Sequence, residues 1–267
     1  MTPATDPILV QDADGIRSIV LNRAGKANAL CTAMLDTMVQ AIARAPEDGA
    51  AMILLRSASP ALFCAGGDID EFALGPDSLE KQGNSLRELM TAMARCPLPI
   101  LAIAQGKAAG AGVILLAMTD IVIAAQDLAL SCPEIAFNMY PVMVQIALET
   151  KISAAQARRL CLSGDTLGAA AARDLGLATD VLPADGFAPL AERRLAYYAQ
   201  RREALDIARQ GRLATESPAA MLQRLATLEP LMHKNFNRPG VRETILAYLD
   251  GLRRKRPGQD GQAANCG

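Results

Sequence analysis

Short apolar runs recur along the first half of the chain and are separated by segments with helical periodicity. The alternating residues at 16–21 predict a strand. Continuous apolar runs at 51–57, 100–106 and 120–125 predict strands that are buried on both faces. Strands that alternate with helices at this spacing indicate an α/β fold.

Three segments between these strands have the pattern of helices. Apolar residues recur at helical spacing in 28–45, and Asn28 is placed to cap that helix. Residues 79–95 also have helical spacing and end before two prolines. The run at 111–118 is apolar on every side, which predicts a short buried helix.

The composition changes after Ser153. The segments that follow are rich in alanine and arginine, have helical spacing and give little signal for strands. We therefore predict a β/α core at 1–195, a helical region at 196–256 and a disordered tail at 257–267.

Length and charge narrow the classes of function. The chain has 267 residues, of which 51% are hydrophobic, and this is ample for one large core. The formal net charge of -1 gives no reason to expect nucleic acid or an anionic membrane as a partner. The sequence has no long apolar run and its first residues do not resemble a signal peptide. We predict a cytoplasmic protein.

Metal chemistry is not indicated. None of the six cysteines forms a CxxC pair, and a single histidine, His233, cannot build a site with several histidines. A hydrolytic triad would need a nucleophile motif such as G-x-S-x-G, which the sequence lacks. We interpret His233 as structural or solvent-facing, so any chemistry would fall to carboxylates and backbone groups.

Two glycine-rich segments each follow an apolar run. Gly67 ends the first turn, and Gly110 lies between a predicted strand and the apolar helix. Amides in the first turn of a helix lack internal acceptors, and small side chains let an anion approach them. If a sheet brings both segments to one edge, two N–H groups can converge on one oxygen. Taken singly, each segment also fits an ordinary turn between a strand and a helix.

Four segments together resemble the enoyl-CoA hydratase/isomerase (crotonase) family. In chain order they are NRAGKANAL, LFCAGGDIDEF, QGKAAGAGVILLAMTDIVIAA and LALSCPEI. The resemblance implies a spiral of ββα units followed by a C-terminal helical region that mediates trimerisation. It implies homotrimers or dimers of trimers. It also implies an acyl-CoA substrate, with coenzyme A entering as part of the thioester and no permanently bound cofactor.

The same resemblance assigns the site. The oxyanion donors fall on the backbone N–H groups of Gly67 and Ala111. Asp68 is expected to fix the turn rather than to titrate. The coenzyme A loop and the substrate contacts fall on Lys26, Ala27, Ala29, Ala65, Asp68, Ile69 and Asp70.

The chain departs from the family's hydratases at one catalytic position. Those enzymes use two glutamates; the second corresponds to Glu134, but the first corresponds to Ile114. Two carboxylates that hold one water suit hydration, whereas one carboxylate suffices to move a proton between carbons. The loop after Glu134 also differs, and Tyr140 with its neighbours Asn138, Met139 and Met143 is expected to shape the acyl pocket.

Three classes of function follow from this pattern. The first is an enoyl-CoA isomerase or hydratase that uses Glu134 and the two backbone donors. The second is a decarboxylase or thioester hydrolase on the same fold, because both also need an enolate or oxyanion site. The third is a non-catalytic relative that binds coenzyme A or RNA. The near-neutral charge argues against RNA.

Overall fold

Two sheets are built together, because three of the six strands of the larger sheet are each followed along the chain by a short strand of the smaller sheet. The computed structural model describes residues 6–255. The strands of this part are β1 (Ile8–Ala13), β2 (Ile16–Leu21), β3 (Met52–Ser57), β4 (Leu62–Cys64), β5 (Ile100–Ala104), β6 (Lys107–Ala109), β7 (Ile121–Ala125), β8 (Ala129–Ser131), β9 (Leu167–Gly168) and β10 (Asp180–Leu182).

The larger sheet has the order β1-β2-β3-β5-β7-β10, and the smaller has the order β4-β6-β8-β9. The pairs β1–β2 and β8–β9 are antiparallel, and the other pairs are parallel. The successive pairs β3–β4, β5–β6 and β7–β8 therefore wind as a spiral, with helices between the turns.

Helices close each turn of the spiral and then form the C-terminal region. The α-helices of the described part are α1 (Thr32–Arg44), α2 (Ile69–Leu74), α3 (Pro76–Arg95), α4 (Ala111–Ala117), α5 (Val142–Leu148), α6 (Ala154–Ser163), α7 (Ala169–Asp174), α8 (Phe187–Ala199), α9 (Arg202–Thr215), α10 (Pro218–Phe236) and α11 (Val241–Lys255). Short 3-10 helices lie at Ala24–Lys26 and Pro133–Phe137. Within residues 6–255 we find no helix that combines the length and apolar character needed to span a lipid bilayer.

The larger sheet is covered on both faces. On one face, alternate residues such as Ile53 and Leu55 join the main core with α1 and α3. On the other face, Leu54 and Leu101 pack against α8 through Leu195. This double burial explains why the central strands are continuous apolar runs, and it confirms the predicted strands β2, β3, β5 and β7.

One local prediction was wrong. Asn28 does not cap α1, which begins after Cys31; instead Asn28 is fully buried in a left-handed turn. The predicted β/α core also contains two strands after Ser153: β9 pairs with β8, and β10 pairs with β7. These strands have only two and three residues, so their side-chain pattern carries little signal.

The C-terminal helices are attached to the core by a buried arginine. Arg209 of α9 is 3% exposed, donates to the carbonyl oxygens of Met93 and Cys96, and pairs with Asp120 at 3.1 Å. The predicted division at 195/196 falls inside α8, and the role of 196–256 in trimerisation stays a prediction. The predicted tail at 257–267 lies outside the described residues.

Gly112 allows α4 to lie directly on β4. A Cβ atom on Gly112 would lie 2.6 Å from the carbonyl oxygen of Cys64 and 2.9 Å from its Cβ. We expect Gly112→Ala to lower the free energy of unfolding by about 1–3 kcal/mol, because backbone must move to admit the methyl group. Urea unfolding measures this change.

Gly211 provides the matched control. It lies in α9, and a Cβ atom there would meet nothing within 4 Å. Gly211→Ala should raise the free energy of unfolding by up to about 1 kcal/mol, because alanine is the better helix former. Equal effects at the two positions would contradict the proposed contact between α4 and β4.

Candidate active site

A tight loop before α1 forms one wall of the candidate site. Ala27 and Asn28 both have a φ of 52°, and the Asn28 side chain holds this shape. Its oxygen accepts from the Arg23 amide at 2.8 Å, and its nitrogen donates to the Phe63 carbonyl at 2.9 Å. A backbone hydrogen bond also joins the loop to the first glycine turn, because the Ala65 amide donates to the Ala27 carbonyl. The backbone of the predicted coenzyme A loop is thus fixed before any ligand binds.

A buried ion pair joins this loop to the first glycine turn. Arg23 contacts Asp68 at 2.5 Å, and both side chains are less than a tenth exposed. The other oxygen of Asp68 accepts from the Asp70 amide and caps α2. Asp68 therefore fixes the turn, as expected. Nearer the surface, Lys26 pairs with Asp70 at 2.9 Å.

Side chains from α2 and α3 support the same turn. Gln82 donates to Glu71 at 2.6 Å, and Glu71 accepts from the amide and hydroxyl of Thr32 at the start of α1. A Cβ atom on Gly67 would lie 2.8 Å from Oε1 of Gln82 and 2.9 Å from Cζ of Phe72. These neighbours leave little room for a side chain at Gly67.

The two glycine segments lie against each other because β4 and β6 pair in parallel. A Cβ atom on Gly66 would lie 3.1 Å from the carbonyl oxygen of Ala109 and 3.8 Å from the amide nitrogen of Ala111. Within residues 6–255, the amides of Gly67 and Ala111 donate to no acceptor. Two adjacent backbone segments therefore each present a free N–H group, which is what an oxyanion site requires.

The Glu134 carboxylate packs on the second glycine segment. Gly110 has a φ of 49°, and a Cβ atom there would lie 2.5 Å from Oε1 of Glu134. Although the residue as a whole is half-buried, its Oε2 atom is enclosed and has no hydrogen-bond partner among the described residues. Burial raises the pKa of Glu134 from 4.5 to about 7, opposed only in part by a backbone hydrogen bond.

Ile114 and Tyr140 occupy different surroundings. Ile114 is 1% exposed and lies one turn after Gly110, so this part of the helix adds no polar group. Tyr140 donates its hydroxyl to Gln145, which in turn donates to Glu149. The Tyr140 hydroxyl is therefore engaged within the protein. The side chain of Asn235 in α10 holds the Tyr140 backbone: it accepts a hydrogen bond from the Tyr140 amide and donates one to the Tyr140 carbonyl.

Most of the predicted site residues lie in one contact network. The loop with Lys26, Ala27 and Ala29 contacts the turn with Ala65 and Asp68, and this turn contacts the segment that carries Ala111. Ile69 instead packs toward Met139 and α11. In the described part of the chain, no group of three or more histidine, cysteine or acidic side chains is arranged to hold a metal ion.

Sequence reasoning missed the positioning residues. Arg23, Glu71 and Gln82 act through contacts that span 11 to 45 positions, and such distances leave no local pattern. Asn28 gave a partial signal, because asparagine tolerates left-handed backbone better than most residues. The same preference for turns and caps led to the wrong helix cap.

The sequence profile described as enoyl-CoA hydratase/isomerase matches residues 11–256. The chain therefore belongs to the enoyl-CoA hydratase/isomerase family. The crystal structure of enoyl-CoA hydratase from Bacillus halodurans has a TM-score of 0.81, covers 91% of this chain and 100% of its own, and is 17% identical. This likeness confirms the crotonase fold.

Two curated relatives show how far the sequence similarity extends. The "Probable enoyl-CoA hydratase" of Rhodobacter capsulatus is 34% identical over 179 residues, which are 64% of this chain and 66% of the relative. The "Enoyl-CoA hydratase domain-containing protein 3, mitochondrial" of Rattus norvegicus is 29% identical over 185 residues, which are 68% of this chain and 62% of the relative. The matches thus span less than two thirds of the length of these relatives.

The raised pKa of Glu134 has a consequence for stability. The folded chain binds this proton more tightly than the unfolded chain, so the stability that this group contributes falls as pH rises from about 4.5 to 7. Glu134→Gln removes the titration. We expect the variant to gain stability over the wild type through this window, up to about 3 kcal/mol, and urea unfolding at several pH values measures it.

Glu149 is the matched control, because its pKa shifts in the opposite direction from that of Glu134. Burial opposes its ionisation, but hydrogen bonds from Gln145 and Arg224 lower its pKa overall. Its stabilising effect is therefore present at neutral pH and is lost on acidification. Glu149→Gln should destabilise the chain at pH 7. If the free energy of unfolding of Glu134→Gln changed with pH in parallel with that of the wild type, the result would contradict a buried Glu134 carboxylate with a raised pKa.

Proposed function

We propose that this chain is an acyl-CoA enzyme that moves a proton through an enolate, with Glu134 as the single acid/base. The observation that supports this most directly is the enclosed, unpartnered Glu134 oxygen beside the second glycine segment. A structural carboxylate is normally paired or hydrogen-bonded when it is buried. The chemistry of a nearby substrate explains why this one is not.

The proposed reaction is the isomerisation of a 3-enoyl-CoA to a 2-enoyl-CoA. Glu134 removes a proton from the α-carbon, and the negative charge passes to the thioester oxygen. The N–H groups of Gly67 and Ala111 stabilise that oxygen. The protonated Glu134 then returns the proton to the γ-carbon, which moves the double bond into conjugation with the thioester.

A pKa of about 7 suits this two-way transfer. A group whose pKa lies near the working pH is present in both forms and can both take and give the proton. Hydration makes a further demand, because a water must be held and activated. The apolar Ile114 offers no second anchor for that water, so we favour isomerisation over hydration.

The resemblance to the family supports the other parts of the proposal. Coenzyme A would lie along the loop with Lys26, Ala27 and Ala29, whose backbone is already fixed by Asn28. We also propose the family's assembly into homotrimers or dimers of trimers, and light scattering measures it. Location in the cytoplasm stays a prediction.

A paired assay tests the reaction. Wild type and Glu134→Gln receive a 3-enoyl-CoA and a 2-enoyl-CoA of equal chain length, and the absorbance of the conjugated thioester is followed. We expect the 3-enoyl substrate to gain conjugation, and Glu134→Gln to lower the rate by about 10²–10⁴-fold.

Other outcomes of this assay have distinct meanings. Loss of conjugation from the 2-enoyl substrate would show hydration instead. If both substrates are unchanged and a malonyl-type thioester loses carbon dioxide, the enzyme is a decarboxylase; release of free thiol would show a thioester hydrolase. No turnover of any thioester would contradict an enzymatic role and favour a coenzyme A-binding relative.

The oxyanion donor at Ala111 is separately testable. Ala111 is the first residue of α4, where proline is well tolerated, so Ala111→Pro removes the N–H group with little cost to the helix. We expect kcat to fall by about 10²–10³-fold. The unfolding midpoint should stay close to that of the wild type.

Ala154→Pro is the control, because Ala154 is the exposed first residue of α6 and its preceding residue, Ser153, has an extended backbone. This change should leave kcat unaltered. A wild-type rate for Ala111→Pro would show that the second donor lies elsewhere.

A further inference from the structure

A small cleft lies between α3, α5 and α10, beside the candidate active site. Its apolar lining includes Met143, Leu225 and Met232. The enclosed space is only about 50 Å³, room for a few water molecules. Methionine side chains are flexible and polarizable, so they can move aside for a bound apolar chain. The floor of the cleft thus suits an aliphatic stem.

Two connections place this cleft next to the reacting groups. Gly83 lines the cleft, and its neighbour Gln82 lies against Gly67 at the first glycine turn. On the other side, Asn235 of α10 holds the backbone of Tyr140, and the amide of Met139 donates a hydrogen bond to the Glu134 carbonyl at 3.1 Å. The helices that line the cleft therefore contact the segments that carry Gly67 and Glu134.

Polar groups lie around the mouth of the cleft. Arg87 pairs with Glu229 at 3.0 Å and donates to Asn84 at 3.1 Å. His233 lies one turn after Glu229 on α10, and its ring has no hydrogen-bond partner within residues 6–255. A ligand with a donor or acceptor at this depth would find an available partner in His233.

The charges at the mouth select against an anion. The lining contains two carboxylates, Glu80 and Glu229, and one guanidinium, Arg87. Because Arg87 already contacts Glu229, a carboxylate on the ligand would have to displace Glu229 and then lie beside it. Like charges at such a distance repel each other. A neutral polar group meets no such cost.

We propose that the acyl group of the substrate has an apolar stem and a neutral hydrogen-bonding group, such as a hydroxyl or carboxamide, at its far end. His233 would bind that group, and the Arg87–Glu229 pair would exclude an ω-carboxylate. This inference rests on the proposed acyl-CoA activity and adds the substrate class. His233, which the sequence suggested was structural or solvent-facing, becomes a specificity-determining residue.

The experiment compares three 3-enoyl-CoA substrates of equal chain length that end in a methyl, a hydroxymethyl or a carboxylate group. We expect kcat/KM to be about tenfold higher for the hydroxymethyl substrate than for the methyl one, the size of one net hydrogen bond. The carboxylate substrate should be the poorest of the three.

Two variants test the assigned residues. His233→Leu should remove the preference for the hydroxymethyl group while retaining turnover of the methyl substrate, which also shows that the variant folds. Glu229→Gln should raise kcat/KM for the carboxylate substrate, because it leaves Arg87 without its countercharge. Gln223→Leu, an exposed position of the same helix outside the cleft, is the control and should keep the wild-type preferences.

The outcomes separate this inference from the proposed function. Turnover with no preference for the hydroxymethyl group, or a preference that survives His233→Leu, overturns the substrate class and leaves the activity standing. Absence of turnover with all three substrates overturns the proposed activity and the inference with it. Preference for the carboxylate substrate would show that Arg87 binds anions despite Glu229.

Discussion

The parallel pairing of β4 with β6 brings together the two backbone segments on which the candidate site depends. This pairing sets Gly66 against Ala109, and from that contact the free amides of Gly67 and Ala111 lie on adjacent segments. The contact leaves almost no room for a side chain at Gly66, because the two backbones lie against each other with no side chains between them. The larger sheet provides the stable frame, and the smaller sheet sets the geometry.

Charged groups near the site divide into two kinds. Arg23 and Asp68 neutralise each other in a buried pair, and Glu71 is occupied by amide and hydroxyl donors. Such groups hold the loops in place and have little freedom to react. Glu134 differs because one of its oxygens is enclosed without a partner. The protein thus fixes the surroundings of this carboxylate while leaving the carboxylate itself available.

Much of this arrangement could be predicted from the sequence. Strands buried on both faces, the two glycine segments and Glu134 all leave local signals, either in hydrophobic runs or in a motif. The short strands β6 and β9 leave none, because two or three residues cannot establish a period. The Arg23–Asp68 pair escaped notice for another reason: its partners are 45 positions apart, and only the fold brings them together.

The wide spacing of the site along the chain also bears on how the protein folds. The loop at 23–29, the turn at 65–68, the segment at 109–111 and Glu134 meet only after successive parallel crossovers are complete. Contacts of such long sequence separation form slowly, since loop closure precedes any gain from them. The site therefore cannot exist in a partly folded chain. A ligand that bridges these segments binds only the complete core, and by mass action it lowers the population of every form in which any part of that core has opened.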